Sequence, residues 1–213
     1  MAHTGKASSP AGPGPAGRID GVIFDMDGTL VRPLLDFAAL RAQLGIPNGD
    51  GILEAIAALP PAEQAQANQV LLEHELSAAA RAQPNPGAVA TVQAIRPAGL
   101  KTALLTRNAA PAMAMVLGRL GLEFDLAWSR EQGPIKPQPD GIWRACRHLG
   151  LSVSRTLCVG DFEYDIQAAN AAGAVSVLLA PAGHATFATV PHHLITALPQ
   201  LLELLGIAAM ETA

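Results

Sequence analysis

Cysteine, clustered positive charge and long apolar runs are all scarce in this sequence. Cys146 and Cys158 are the only cysteines; they lack the paired spacing of a zinc site and have apolar neighbours, as buried thiols would. The net charge is −4 and the 14 Lys and Arg residues are scattered, which argues against nucleic acid or an acidic membrane surface as a partner. No apolar run reaches the roughly 18 residues of a membrane span, and residues 1–17 lack the apolar centre of a secretion signal. We therefore expect a protein of the reducing cytoplasm, without a nucleic-acid or membrane partner.

Apolar residues, by contrast, are abundant. They make up half of the 213-residue chain, which is enough for a sizeable core. Residues 1–17, rich in Ala, Gly, Pro and Ser, are predicted to be a flexible tail. The α/β core domain is predicted over residues 18–30 and 84–213, and residues 31–83 are predicted to form an all-helical cap inserted after the first strand.

Apolar spacing predicts the individual elements. In the cap it predicts helices at residues 34–44, 52–59 and 62–81. The predicted strands of the core are 22–24, 101–105, 124–128, 156–159 and 175–179. The predicted helices of the core are 88–96, 110–120, 139–149, 164–172 and 194–205. This alternation predicts the α/β class: a Rossmann-like parallel sheet with helices on both faces, plus the small helical cap.

Two acids end the first predicted strand. Asp25 and Asp27 are two residues apart, so they lie on the same side of the chain, and Gly28 allows a sharp turn directly after them. Two carboxylates this close repel each other unless a cation lies between them. The alternative is an ordinary Asp-Gly turn at a strand end, without chemical function.

Polar residues also follow the other predicted strands, at the sheet edge where such folds bind ligands. They are Thr106, Arg107 and Asn108 after the second strand, Asp161 and Asp165 after the fourth, and Lys136 in the loop after the third. Each has a structural alternative, because Thr106 and Asp161 could cap helices and Asp165 and Lys136 could be solvated. Their joint placement, from four separate stretches of the chain, favours a common site.

Four stretches together resemble the motifs of the haloacid dehalogenase superfamily, in its phosphatase branch with a small helical cap, similar to phosphoglycolate phosphatases. They are DMDGTL at 25–30, LLTRN at 104–108, GPIKPQPD at 133–140 and VGDFEYD at 159–165. The resemblance extends over nearly all of residues 18–179. It implies that Asp25 is a nucleophile, which attacks a phosphate to give an aspartyl-phosphate that water then hydrolyses.

The resemblance also implies an acid and a metal. Asp27 is expected to protonate the leaving oxygen and then to take a proton from the attacking water. Mg²⁺ is expected to bind Asp25, the backbone carbonyl of Asp27, Asp161 and, directly or through a water, Asp165.

The remaining residues are expected to contact the phosphate. Thr106 and nearby backbone N–H groups would hold the transferring oxygens, and Lys136 would offset their negative charge. Gly28, Arg107 and Asn108 are expected to contact the phosphate or the rest of the substrate.

Dehalogenation, phosphomutase activity and phosphonate hydrolysis are alternatives to phosphate ester hydrolysis. The acid at Asp27 favours phosphate transfer over dehalogenation, since carbon–halogen cleavage needs no proton on the leaving group. A phosphomutase of the β-phosphoglucomutase kind shares this acid, and only the scarcity of basic residues in the cap counts against it. Residues 31–83 contain no lysine, which argues against phosphonate hydrolysis through a Schiff base.

A module of the same fold without catalytic activity, which binds a phosphorylated ligand or a protein, is the non-enzymatic alternative. Loss of the nucleophile, the acid or the lysine would support it, but all three are present. The sequence therefore predicts a Mg²⁺-dependent phosphatase of a small phosphorylated metabolite, acting as a monomer or homodimer.

Overall fold

Six short parallel strands form a single sheet in the computed structural model, which describes residues 18–47, 49, 51–185 and 187–207. The strands are β1 (Gly21–Phe24), β2 (Lys101–Leu105), β3 (Leu126–Trp128), β4 (Thr156–Gly160), β5 (Val175–Leu179) and β6 (His193–Ile195). Their order across the sheet is β3-β2-β1-β4-β5-β6. The flexible tail predicted over residues 1–17 lies outside the described residues.

The strand β1 lies near the centre of the sheet, and all four of its residues are buried. Its last residue, Phe24, pairs with Leu104 of β2 and Val159 of β4. Val22 and Phe24 belong to one apolar cluster and Ile23 to another, because successive side chains of a strand point to opposite faces. Helices cover both faces, so the predicted α/β class with a parallel sheet is confirmed.

Helices outside residues 31–83 pack against the sheet. They are α4 (Ala88–Ile95), α5 (Ala110–Leu120), α6 (Asp140–Leu149), α7 (Glu163–Ala172) and α8 (Gln200–Leu204). The first four agree with the predicted bounds to within one residue at each end. Cys146 and Cys158 are buried free thiols between α6 and the sheet, as predicted. Among the helices of the described residues, none combines the length and apolarity needed to cross a bilayer.

The helix predicted at 194–205 is wrong over its first half. His193–Ile195 forms β6, which extends the sheet by pairing with β5, and only residues 200–204 are helical. A short apolar run gives no periodicity that separates a strand from a helix, so the open edge of β5 decides the conformation. Pro199 also disfavours a helical backbone at Leu198, so the helix begins only after this proline, at Gln200.

Three helices lie between β1 and α4: α1 (Phe37–Leu44), α2 (Ile52–Ala58) and α3 (Pro61–Ala79). The side chain of Asp36 caps α1 by accepting a hydrogen bond from Ala39 N at 2.9 Å. The three helices have an apolar cluster of their own, formed by Leu40, Ile52, Ile56, Ala67 and Leu71. The end of α3 instead joins the main core of the sheet through Ala79.

Candidate active site

The predicted nucleophile lies in contact with the predicted lysine. Asp25 directly follows β1, and Lys136 Nζ lies 2.5 Å from its Oδ1 atom. The same ammonium group lies 2.6 Å from Oδ1 of Asp165, on the first turn of α7. Asp25 and Lys136 are 111 positions apart in the chain. Asp25 and Asp165 come together because β1 and β4 are neighbours in the sheet.

Three of the predicted metal ligands form an acidic cluster. Asp25, Asp161 and Asp165 each offer one carboxylate oxygen, and these oxygens all lie within 4.8 Å of one another. Clustered carboxylate oxygens are the ligands that a hard cation such as Mg²⁺ prefers. The donor set therefore fits the metal that the sequence predicts.

The charges of this cluster also favour a bound cation. Burial raises the pKa of Asp25 well above its ordinary value, and burial raises the pKa of Asp161 to about 7. Burial alone would lower the pKa of Lys136, but the carboxylates of Asp165 and Asp25 raise that pKa above its ordinary value. One ammonium group thus faces three carboxylates, and a divalent cation would supply the positive charge that is short.

Asp27 has a different environment from the other acids. Its Oδ2 atom accepts a hydrogen bond from Nδ2 of Asn108. Burial raises the pKa of Asp27, although the Asn108 hydrogen bond and the charge of Lys136 oppose that shift. A carboxyl group with a raised pKa can carry a proton closer to neutral pH, which suits a general acid.

The turn after Asp27 packs directly against Asp161. Gly28 has φ 78°, and a Cβ atom there would lie 2.0 Å from Oδ2 of Asp161, so only glycine fits. The Thr29 hydroxyl donates to Asp161 Oδ1 at 3.2 Å. Asn85 Nδ2 donates to the Gly28 carbonyl at 2.7 Å and to the Thr29 carbonyl at 2.8 Å. The sequence interpretation missed Thr29 and Asn85; a Pro-Asn-Pro-Gly turn was the only signal at Asn85.

Thr106 lies at the end of β2, beside the end of β1. It is buried, its N–H donates to the Trp128 carbonyl at 3.0 Å, and its Oγ1 accepts from Asn108 N at 3.1 Å. These bonds hold the predicted phosphate-binding loop against β3.

Arg107 connects the core to the helices between β1 and α4. Its Nη2 atom lies 2.8 Å from both carboxylate oxygens of Glu54 on α2. Its Nη1 atom donates to the Lys136 carbonyl at 2.6 Å, and its guanidinium lies 4.7 Å from the ring centroid of Tyr164. The sequence offered no signal for Glu54 or Tyr164 as neighbours of the site.

Glu75 is a further residue that sequence reasoning missed. Its carboxylate is only 3% exposed and forms an ion pair with Arg130. Its Oε2 atom also accepts from Ala109 N at 3.1 Å, and burial raises the pKa of Glu75. The available signal was its place on the buried face of α3, four residues after Leu71 and four before Ala79.

The fold and these strand-end groups define a hydrolase of the haloacid dehalogenase type. The model of the haloacid dehalogenase-like hydrolase family matches residues 35–173, and the chain belongs to this family. The predicted family, the Rossmann-like fold class and the enzyme class, a phosphatase of this type, are confirmed.

Individual relatives agree with the family match. The chain is 33% identical over 178 residues to a haloacid dehalogenase-like hydrolase domain-containing protein of Arabidopsis thaliana, covering 78% of this chain and 73% of that protein. It is 28% identical over 185 residues to a phosphoglycolate phosphatase of Pseudomonas syringae pv. tomato, covering 74% and 68%. The structure of CbbY from Rhodobacter sphaeroides in complex with phosphate shares the fold, with a TM-score of 0.69, 20% identity, and 88% and 99% of the chains covered.

Proposed function

We propose that this phosphatase is a Mg²⁺-dependent phosphomonoester hydrolase that acts on a small phosphorylated metabolite through an aspartyl-phosphate. The main support is the contact of Lys136 Nζ with both Asp25 and Asp165, inside the cluster that Asp161 completes. The phosphoglycolate phosphatase among the relatives supports a small phosphoester as substrate.

The metal would be held by the clustered carboxylates of Asp25, Asp161 and Asp165, with the backbone carbonyl of Asp27 as a further oxygen ligand. When bound, Mg²⁺ supplies the positive charge that offsets the repulsion between the nucleophilic carboxylate and the phosphate.

The side chains of the chain would then carry out two steps. In the first, an Asp25 oxygen attacks phosphorus, the bond to the leaving oxygen breaks, and that oxygen receives the proton of Asp27. In the second, a water oxygen attacks the phosphorus of the aspartyl-phosphate and its proton passes to Asp27. The bond between the Asp25 oxygen and phosphorus breaks, and inorganic phosphate leaves. Lys136 orients Asp25, while Thr106 and backbone N–H groups hold the phosphoryl oxygens.

Substrate contacts beyond these groups are part of the same proposal. Gly28 supplies backbone close to Asp161, and Arg107 lies between the site and Glu54 of α2. A contact of Asn108 with the phosphate or the rest of the substrate stays a prediction; in the structure its amide donates to Asp27.

We also infer that residues 31–83 form a cap over the core domain of residues 18–30 and 84–213. The separate apolar cluster of α1 to α3 supports a distinct unit. Two ion pairs, Arg107 with Glu54 and Arg130 with Glu75, connect that unit to the loops around the site. A monomer or homodimer, the cytoplasm, and the absence of nucleic-acid and membrane partners stay predictions.

The proposed function is tested by phosphate release from p-nitrophenyl phosphate and a panel of small phosphoesters, with and without Mg²⁺. We compare wild type with Asp25→Asn and with Glu63→Gln, an exposed acid on α3 that serves as a control. We expect Mg²⁺-dependent release that Asp25→Asn lowers by about 10³-fold or more and that Glu63→Gln leaves unchanged.

A folded wild type that releases phosphate from no ester in the presence of Mg²⁺ would exclude this function. Transfer of phosphate between two positions of a sugar phosphate, without release, would identify a phosphomutase instead.

A further inference from the structure

Asn108 is the side chain that contacts the proposed acid. Its Nδ2 atom donates to Oδ2 of Asp27, across 81 positions of the chain. Its own backbone is held on both sides, because its N–H donates to Thr106 Oγ1 at 3.1 Å and its carbonyl accepts from Arg130 N at 3.0 Å. The amide of Asn108 therefore reaches Asp27 from a fixed loop.

A buried ion pair secures the residues on both sides of Asn108. Arg130 Nη1 donates to the Arg107 carbonyl at 3.2 Å, and Glu75 accepts the N–H of Ala109 at 3.1 Å. Arg130 and Glu75 pair with each other, with side chains only 14% and 3% exposed. Water has little access to such a pair, so it holds its geometry better than a surface ion pair does.

We propose that Asn108 is the positioning residue that aims the carboxyl group of Asp27 at the leaving oxygen, and that the Glu75–Arg130 pair keeps Asn108 in place. This inference rests on the proposed function, in which Asp27 is the acid. An amide N–H on Oδ2 occupies that oxygen as an acceptor, so the proton of the neutral carboxyl group lies on Oδ1. Asn108 thereby selects which oxygen donates the proton and fixes the direction in which it points.

The dependence of the rate on the leaving group separates positioning from general support of the fold. Phenolate is a strong base and needs a proton as it leaves, whereas p-nitrophenolate is a weak base and leaves without one. The value of kcat/KM reports the attack by Asp25, before the aspartyl-phosphate that both esters share. A misdirected Asp27 therefore lowers kcat/KM for phenyl phosphate far more than for p-nitrophenyl phosphate, while a structural defect lowers both alike.

The experiment compares these two esters, with Mg²⁺, on the full chain. The variants are Asn108→Ala, Asp27→Asn as the positive control, and Asn68→Ala, an exposed amide on α3, as the matched control. We expect Asn108→Ala to lower kcat/KM for phenyl phosphate about 10-fold more than for p-nitrophenyl phosphate, in the same sense as Asp27→Asn. Equal losses on both esters with Asn108→Ala would overturn the inference.

Two further measurements complete the test. Glu75→Gln keeps an acceptor for Ala109 N. We expect it to lower kcat/KM less than Asn108→Ala does, with the same dependence on the leaving group. Equal losses of kcat/KM on both esters would overturn the role of the ion pair. If wild type hydrolyses neither ester, the proposed function fails. A crystal structure of Asn108→Ala then still tests whether Asn108 positions Asp27; if Asn108→Ala does not fold, Asn108→Ser takes its place. An Asp27 carboxyl group that keeps its direction in that structure would overturn it.

Discussion

At the scale of single residues, a glycine lies directly against one of the clustered acids. Gly28 follows the acid Asp27 with φ 78°, and Oδ2 of Asp161 lies where a side chain would begin. Gly99 has a similar φ of 82°, but no atom lies within 4 Å of its Cβ position. The two positions share the cost of a left-handed backbone, and only Gly28 adds a collision with a proposed metal ligand.

The comparison of Gly28→Ala with Gly99→Ala tests this difference. Both variants lose roughly 1–2 kcal/mol of unfolding free energy from the left-handed backbone. We expect only Gly28→Ala to lower Mg²⁺-dependent phosphate release as well, by about 10²-fold, because displacing Asp161 disturbs the proposed metal site. Urea unfolding and phosphate release measure the two effects. Gly28→Ala with the activity of Gly99→Ala would contradict the role of this turn.

At the scale of elements, one carboxylate ties the edge strand β3 to β2. Asp125 immediately precedes β3 and accepts hydrogen bonds from Thr102 N at 2.9 Å and Lys101 Nζ at 3.2 Å. Partial burial would raise the pKa of Asp125, but these hydrogen bonds from Thr102 and Lys101 lower it below the ordinary value of 3.8. The folded protein thus holds this proton less tightly than the unfolded chain does.

The pH dependence of stability follows from that shift. The contribution of Asp125 is fully present above pH 3.8 and is lost as the pH falls through the lower pKa of the folded state. We expect Asp125→Asn to lower the unfolding free energy by about 1 kcal/mol near pH 7. The difference from wild type should shrink as the pH falls below 3.8 and through the pKa of the folded state. Urea unfolding at several pH values measures it, with the exposed Glu123→Gln as control. A difference that stays constant with pH would refute this assignment.

The helices between β1 and α4 contact the loops after β2 and β3 through two ion pairs of unequal burial. The Glu54 side chain is 48% exposed in its pair with Arg107, whereas the Glu75 side chain is 3% exposed in its pair with Arg130. Water screens the first pair, while removing one partner of the second leaves a buried charge without compensation.

These two pairs should therefore respond differently to truncation. We expect Glu75→Ala to lower the unfolding free energy by about 3–5 kcal/mol, and Glu54→Ala by no more than about 1 kcal/mol. Urea unfolding of both variants at neutral pH provides the measurement. Equal losses would show that burial does not set the strength of these links.

At the scale of the whole molecule, the apolar interior is divided into separate clusters of side chains. Leu40 is fully buried in the cluster of α1 to α3, whereas Leu157 of β4 is buried in the main cluster of the sheet. Clusters that share few side chains can unfold separately, since the unfolding of each exposes only its own apolar surface.

Hydrogen exchange can detect this division. We expect Leu40→Ala, which removes about 2–5 kcal/mol of packing, to speed amide exchange in α1 and α2 while the central strands keep their protection. Leu157→Ala, the matched substitution in the sheet, should reduce the protection of the strands. Equal acceleration of the strands in both variants would indicate one cooperative unit.

The sequence by itself determined the parts of this protein that depend on neighbouring residues. The bounds of β2, α5 and β5 agree with their predictions, because each is a single apolar run or helical pattern bounded by polar residues or turns. The acids Asp25 and Asp161 were predicted for the same reason, since carboxylates directly after buried strands meet at one edge of a parallel sheet.

Only the tertiary structure decided what depends on distant partners. The strand β6 forms because β5 offers an open edge, and a local pattern does not contain that information. Glu75 is acceptable in the interior only because Arg130, 55 positions away, lies opposite it. Asn108 likewise meets Asp27 only after β1 and β2 have paired, since hydrogen bonds and ion pairs act over a few ångströms of space, whatever the distance along the chain.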